Sequence, residues 1–535
     1  MSKPQGLKGC PKASKPTLFH YAAIFICVTV FLLAAACGSR GETANNGSAN
    51  NNATGDTASA STTADPTRQT QRLTPLSDEE ASPLFYTNPQ GVMQIGDPFV
   101  LLSDDGYFYM YATSGGMGFT GWRSADMVNW TRLGVVFQPG SFHWGMGDFW
   151  APEVIFHNGR YYMFFSARWQ VGSTLRIGVA VSDSPAGPFV DALDRPLFDF
   201  GWAAIDGHPF IDDCGTIYLY FARDCSENVV SGVNESHIYV VELAPDMLSV
   251  VGDPVFLIAP TQHWEAQGSW RWNEGPWVIK HEGLYYLMYS ANYFASREYG
   301  VGYATSESPL GPFVKSDNNP ILHSPRGWDH VSGPGHHSVV RSRDGREMFA
   351  VYHTHTFPAN PSGNRQVQID RMGFRPDGSL FINGPTGSEM PMPSTDDGFR
   401  NMAIEATVEV SSGQQLAHLL TDGEIGLDPR FPNRDWVSDN RGEQTITLRW
   451  DRPINITAVM AFPGVGLSSQ PLRVRVDSVG GAGMEDIIEA PTIPGAAAIA
   501  TFEPRIADYV TIVIYPHRSN IPVRLSEIFV LGREE

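Results

Sequence analysis

Apolar residues in the middle of this chain come in short bursts that end at turn dipeptides, not at the i, i+3, i+4 spacing of amphipathic helices. One burst pattern recurs five times. The copies read DPFVLLSDDGYFYMYAT from Asp97, WAPEVIFHNGRYYMFFSA from Trp150, DGHPFIDDCGTIYLYFA from Asp206, EGPWVIKHEGLYYLMYSA from Glu274 and HHSVVRSRDGREMFAVYH from His336. In each, a hydrophobic strand meets a turn and an aromatic strand returns. Asp-Gly and Asn-Gly pairs between β-rich runs predict hairpins, because these residues tolerate positive φ. The turn glycines Gly106, Gly159, Gly215, Gly283 and Gly345 are spaced by 53, 56, 68 and 62 residues. Second hairpins show in SADMVNW (Ser124–Trp130), SDSPAGPF (Ser182–Phe189) and SESPLGPF (Ser306–Phe313). Four strands per unit at this period predict a five-bladed β-propeller over residues 81–393.

After Pro393 the pattern changes. DWVSDNRGEQTITLRWDRPINITAVMAF (Asp435–Phe462) and ADYVTIVIYP (Ala507–Pro516) alternate apolar and polar residues, as half-buried antiparallel strands do. Residues 394–535 are therefore expected to form a separate β-sandwich, and the fold class is all-β.

The N-terminus follows another pattern. Lys3, Lys8, Lys12 and Lys15 precede an apolar run from Tyr21 to Ala36 that only Thr29 breaks. Such a run is short for a bilayer span of roughly 20 residues. Ala34, Ala35 and Ala36 lead into Cys37, which resembles a bacterial lipobox, with Leu33 one place further from the cysteine than usual. Residues 1–36 are expected to be a lipoprotein signal peptide. Residues 37–80 are expected to be a flexible tether, since no Leu, Ile, Val, Met or aromatic residue occurs between Cys37 and Leu73. The expected location is the cell surface, outer membrane or periplasm of a bacterium, lipid-anchored through Cys37, with the membrane touched only by that lipid.

Composition narrows the partners. Net charge is −20, and removal of a leader with four lysines and no acid would take it to about −24. Such a surface repels phosphate backbones, so nucleic acid is not an expected partner. Aromatic residues are 12 % and glycine and proline number 53 and 39, which suits a turn-rich protein handling a polar ligand such as sugar. Beyond Cys37 only Cys214 and Cys225 remain. A strand between them would separate them by roughly 20 Å, too far for a disulfide.

The chemistry emerges when the blades are aligned on their turn glycines. Nine residues upstream stand Asp97, Trp150, Asp206, Glu274 and His336. Equivalent positions in a propeller ring one mouth of its channel, so this alignment predicts three carboxylates in one cavity. Nothing in β-propensity favours an acid there.

These blocks resemble glycoside hydrolase family 43: Asp-Pro at the start, Trp-Ala-Pro-Glu, Ile-Asp-Gly before Asp-Asp-x-Gly, Glu-Gly-Pro, and Gly-Pro-Gly-His, over roughly residues 85–390. The resemblance implies an inverting hydrolase acting on arabinofuranosyl or xylosyl linkages in plant cell-wall poly- or oligosaccharides. It implies Asp97 as general base, Glu274 as general acid, and Asp206 as the acid that orients the donor and raises its pKa. An inverting glycosidase needs an ionised and a protonated carboxyl about 6.5–9.5 Å apart, which fits such a set. The resemblance further implies that His336, or its neighbour His337, stands beside a channel cation, usually Ca2+, held largely through water. It implies that Arg365, with Arg371 as alternative, contacts the sugar. Trp150 is expected to shape the pocket, and Glu153 to be structural. Trp122, Trp202, Trp272 and Trp328 are candidate stacking rings. No organic cofactor is implied. The C-terminal strands resemble a discoidin-like (galactose-binding-like) sandwich, a possible carbohydrate-binding module with Asp422 as a candidate calcium ligand. Two other readings stand beside these. One is a surface glycan-binding lipoprotein with an inactive propeller. The other is a propeller glycosidase of different specificity, such as an endo-arabinanase or galactanase.

Overall fold

The computed structural model describes residues 71–535, apart from 93, 325–330, 465–471, 494 and 517–520. The leader, Cys37 and Trp328 lie outside the described residues.

Five four-stranded antiparallel sheets follow one another along the chain. Their innermost strands are Gly96–Leu102 in blade 1, Trp150–His157 in blade 2, Ala204–Ile211 in blade 3, Asn273–His281 in blade 4 and Gly335–Arg341 in blade 5. Each innermost strand packs against that of the next blade, and blade 5 returns to blade 1. The ring closes through the segment ahead of blade 1. The N–H groups of Gln90, Gln94 and Ile95 donate to carbonyls of the blade 5 strand Arg365–Phe374, and Val367 donates back to Val92. Aromatic returns such as Phe108–Thr113 and Leu284–Ala291 bury their rings between blades, which is why the repeat is so rich in Tyr and Phe.

Every innermost strand carries a bulge near its start, where the pairing with the second strand slips. One residue per bulge has positive φ: Asp97 at 54°, Ala151 at 45°, Asp206 at 57°, Gly275 at 53° and His336 at 47°. Four of these five are not glycine, and left-handed backbone there strains the chain. Counting from the turn glycine predicts a single ring of Asp97, Trp150, Asp206, Glu274 and His336. The structure corrects this. Blades 2 and 4 turn through two residues, Asn158–Gly159 and Glu282–Gly283, whereas blades 1, 3 and 5 use longer turns. The bulge in blades 2 and 4 therefore lies one residue nearer its glycine. Trp150 and Glu274 sit at the position before the bulge, alongside Gly96, Ile205 and Gly335.

The C-terminal residues, joined by Gln71–Arg72, build one sheet of ten strands. Its spine is Gln444–Pro463, Ala498–Tyr515 and Pro522–Glu534. Bulges between Arg449 and Ile454 and between Ile456 and Ala458 bend the long strands over a core that includes Trp436, Ile446, Val476, Ile512 and Leu525. The expected tether does not reach residue 80. Gln71–Arg72 pair in parallel with Ala482–Gly483, and Leu73 is buried in the C-terminal core. A second core joins the two sheet systems: Phe108, Phe349 and Val351 of the propeller pack in one cluster with Met460, Phe462 and Phe529.

Candidate active site

A cavity of about 330 Å³ opens at the bulged end of the innermost strands. Asp97, Trp150, Asp206, Glu274, His336 and Arg365 all line it. These six, expected as site residues, come together from all five blades, five of them from two positions of the bulge and Arg365 from the third strand of blade 5.

The bulges are held by bonds between blades. Each exposes an N–H that the sheet ladder does not use, and a neighbouring blade accepts it. Ala151 donates to Thr113 Oγ1 at 2.9 Å, Asp206 to Ser166 Oγ at 3.0 Å, and His336 to Ser290 Oγ at 2.8 Å. Asp97 donates to His353 Nδ1 at 3.2 Å. All four acceptors occupy one position of the second strand. In blade 3 that position is Ala222, paired with Ile205, and it has no acceptor to offer. The remaining bulge N–H, that of Gly275, donates to Asp206 Oδ2 at 3.0 Å instead.

The three carboxyls are buried but differ in company. Asp97 Oδ1 accepts from Arg365 Nη1 at 2.7 Å, and Oδ2 accepts from Thr113 Oγ1 at 2.6 Å. His336 Nδ1 lies 3.3 Å from Oδ1. Burial alone would raise this carboxyl, but Arg365, then His336, and the Thr113 hydroxyl outweigh it and hold Asp97 well below the usual carboxylate range. The imidazole of His353, 3.5 Å away, is neutral: its Nδ1 accepts the Asp97 N–H, and burial with Arg365 nearby depresses it.

Burial and the negative charge of Asp206 push Glu274 well above the usual range, while a 2.8 Å bond donated by the Tyr299 hydroxyl opposes this in part. Burial also raises Asp206, to about 6, helped by Asp97 and resisted by His336 and the Gly275 N–H. Asp206 and Glu274 titrate as a pair. A fourth carboxyl, Asp224, lines the cavity, and its charge raises both.

Two missing side chains make this geometry possible. A Cβ on Gly96 would lie 1.9 Å from the Arg365 guanidinium carbon, and one on Gly335 would lie 2.3 Å from the Tyr299 ring. Arg365 and Tyr299 reach their carboxyls through those gaps.

The family model for glycosyl hydrolases family 43 matches residues 86–380, more than half of the chain. The chain belongs to glycosyl hydrolase family 43. It is 33 % identical over 282 residues to a beta-D-galactofuranosidase of Aspergillus niger, covering 49 % of this chain and 73 % of that one. To alpha-L-arabinofuranosidase 43 of Humicola insolens it is 28 % identical over 448 residues, covering 77 % and 90 %. A crystal structure of a thermostable family-43 glycoside hydrolase superposes with a TM-score of 0.55 and 50 % identity, over 58 % of this chain and all of that one. As a family 43 member, the chain is a glycoside hydrolase.

The other expected positions divide. Arg371, the alternative to Arg365, pairs with Glu347 at 2.8 Å and donates to the Pro391 and Met392 carbonyls, away from the cavity. Glu153 accepts from His208 Nδ1 at 2.7 Å, and His208 Nε2 accepts the Val278 N–H, a cross-blade brace. Trp122 is buried in a core, Trp202 stacks among Phe200, Phe221 and Tyr239, and Trp272 lines the cavity. Cys225 is a buried free thiol on the cavity wall, unbridged to Cys214. Asp422 lies against the buried carboxyl of Glu527. Burial raises Asp422 to about 6, and burial with the charge of Asp422 raises Glu527 well above the usual carboxyl range.

Sequence reasoning missed Thr113, Tyr299, His353 and Asp224. Thr113 and His353 carried a signal, because each ends its copy of the repeat set out above. Tyr299 and Asp224 lie in connections that do not repeat. For a channel cation, both ring nitrogens of His337 are buried without a hydrogen-bond partner among the described residues. Among those residues no three His, Cys, Asp or Glu side chains converge to hold a metal. Calcium takes oxygen ligands, so this donor set fits only an ion that keeps most of its water.

Proposed function

We propose that the chain is an inverting hydrolase of arabinofuranosyl or xylosyl linkages in plant cell-wall polysaccharides. One observation carries the reading. Two buried carboxyls line one cavity in opposite company, Asp97 paired with Arg365 at 2.7 Å, which favours its ionised form, and Glu274 buried near Asp206, which favours its protonated form. Asp97 takes a proton from the attacking water. Glu274 delivers one to the departing glycosidic oxygen. Burial and the charge of Asp206 favour the protonated form of Glu274, and Asp206 is itself oriented by the Gly275 N–H. Arg365 fixes Asp97 and meets the glycone, and Trp150 walls the pocket. Both curated relatives described above are furanosidases by name, which favours a furanose glycone and places galactofuranosides in the same test. A water-held calcium in the channel would face His336 and His337, supplying positive charge near Asp97.

The same proposal includes export through the leader, a lipid on Cys37 at the bacterial surface, and a discoidin-like C-terminal unit with affinity for glycan.

The test is release of sugar from arabinan, arabinoxylan and nitrophenyl furanosides and xylosides. Glu274→Ala is expected to lose about 10²–10⁴-fold on polysaccharide, and less on nitrophenyl glycosides, whose leaving group needs little protonation. The first product anomer, read by NMR, is expected to be inverted. Retention, or a Glu274→Ala variant as active as the parent, refutes the assignment.

A further inference from the structure

The carboxyl cavity does not end at its carboxyls. Trp270, Trp272, Tyr293 and Phe294 line one wall of it in succession. Ring centroids lie 6.2 Å apart from Trp270 to Trp272, 5.5 Å from Trp272 to Tyr293, and 4.9 Å from Tyr293 to Phe294. Trp270, at the outer end, is 46 % exposed, and Tyr293, midway along the row, is 48 % exposed. At the inner end the Arg365 guanidinium sits 4.9 Å over the Phe294 ring. The row thus runs from the group that holds Asp97 out to solvent.

These rings are fixed in place. Trp270–Arg271 pair in parallel with Asn234–Glu235, and Arg271 bonds Glu235 Oε1 at 3.1 Å. The loop carrying Tyr293 and Phe294 is pinned by Asn292, whose Nδ2 donates to the Trp264 and Glu298 carbonyls at 2.8 and 2.9 Å. His355 Nε2 donates to the Phe294 carbonyl at 2.9 Å. Large rings held open to water and continuous with a reaction pocket mark a binding surface rather than a core.

We infer that this row is a binding track for the sugar chain on the leaving side of the scissile bond. The inference rests on the hydrolase reading above, with Glu274 as proton donor. Glu274 follows Trp272 by two residues, so the rings flank the oxygen that Glu274 protonates. Asp97 and Arg365 lie at the inner, glycone end, and the row leads outward from there. The occupant is an uncharged chain of several sugar units. Among the described residues the two arginines lining the cavity are committed, Arg168 to Asp148 at 2.5 Å and Arg365 to Asp97, which argues against a uronate-rich chain. Sugar rings lay their C–H faces on aromatic faces and keep their hydroxyls in water, so a stepped row suits a chain and wastes itself on a monosaccharide.

The test compares kcat/KM on neutral oligosaccharides of increasing length with kcat/KM on the nitrophenyl glycoside of the same glycone. The chains are Trp270→Ala, Tyr293→Ala, Trp270→Phe and the parent. In the parent, efficiency is expected to rise with chain length through KM. In either alanine variant the ratio of long-chain to nitrophenyl efficiency is expected to fall about tenfold, which corresponds to ~1.4 kcal/mol, and Trp270→Phe restores most of it. Calorimetry of the same oligosaccharides on Glu274→Gln, with and without Trp270→Ala, reads the track without turnover. Length dependence that survives in both alanine variants overturns the inference. So does an equal loss on the nitrophenyl glycoside, which would put the rings on the glycone side. If no substrate turns over but Trp270→Ala still weakens chain binding, the hydrolase reading fails and the track stands.

Discussion

Gly96 controls a charge it does not touch. Its missing side chain admits the guanidinium that holds Asp97 ionised. Its φ is not in the left-handed region, so alanine there strains no backbone. The clash would fall on the far end of a long side chain, which can move. Gly96→Ala is therefore expected to fold but to push Arg365 off Asp97. The sign follows from the causes: Arg365 lowers the Asp97 pKa, so its displacement raises it. The acid limb of the kcat/KM profile moves to higher pH, and Arg365→Ala moves it the same way. A profile in Gly96→Ala that coincides with the parent's would show that Arg365 does not set this charge. Gly335 differs, because alanine there meets the ring of fully buried Tyr299, which cannot swing aside.

At the scale of the strand, the site depends on who accepts each bulge N–H. Thr113, Ser166, Ser290 and His353 serve four blades, and Ala222 leaves the fifth donor to Asp206. Ala222→Ser would add a small acceptor at the equivalent position. The Gly275 N–H is expected to turn to it. Because that N–H lowers the Asp206 pKa, losing it raises Asp206 further. Activity near pH 6 is expected to drop about 10-fold, while Tm stays within a few degrees. Carbon NMR of the Asp206 carboxyl across pH checks the cause: an unmoved titration sinks it. Much of this element was legible beforehand. The five hairpins, their glycines and the three acids follow from turn chemistry and strand alternation. The bulge did not, because counting from the turn assumes equal turns, and HNGR and HEGL are tighter than SDDGYF. The period-2 alternation of side chains around those turns carried the correction. Tyr299 and Asp224 left no trace in the repeat, since the connections that carry them have no counterpart in other blades.

The propeller and the C-terminal sheet share more than a chain. Phe108, Phe349 and Val351 meet Met460, Phe462 and Phe529 in one core. Arg375 bonds both oxygens of Glu424 at 2.6 and 2.5 Å, and Asn383 exchanges bonds with the backbone of Gly423 and Ile425. Burying each large apolar side chain contributes about 1.5–3 kcal/mol. A chain cut after Pro393 would uncover several, against a typical net stability of roughly 5–15 kcal/mol. It is expected to be poorly soluble or to lack near-ultraviolet circular dichroism, whereas the longer chain unfolds in one transition. A soluble fragment with an unchanged Tm would show that the shared core contributes little.

The alanine at position 222 bears on how such a protein could be redesigned. Averaging the five repeats into one idealised blade would restore a hydroxyl there, since three of the other four blades carry one. The result would be more symmetric and, by every local criterion, better bonded. It would also satisfy from within the scaffold the one bulge donor that now reaches Asp206, so perfecting the repeat would weaken the enzyme.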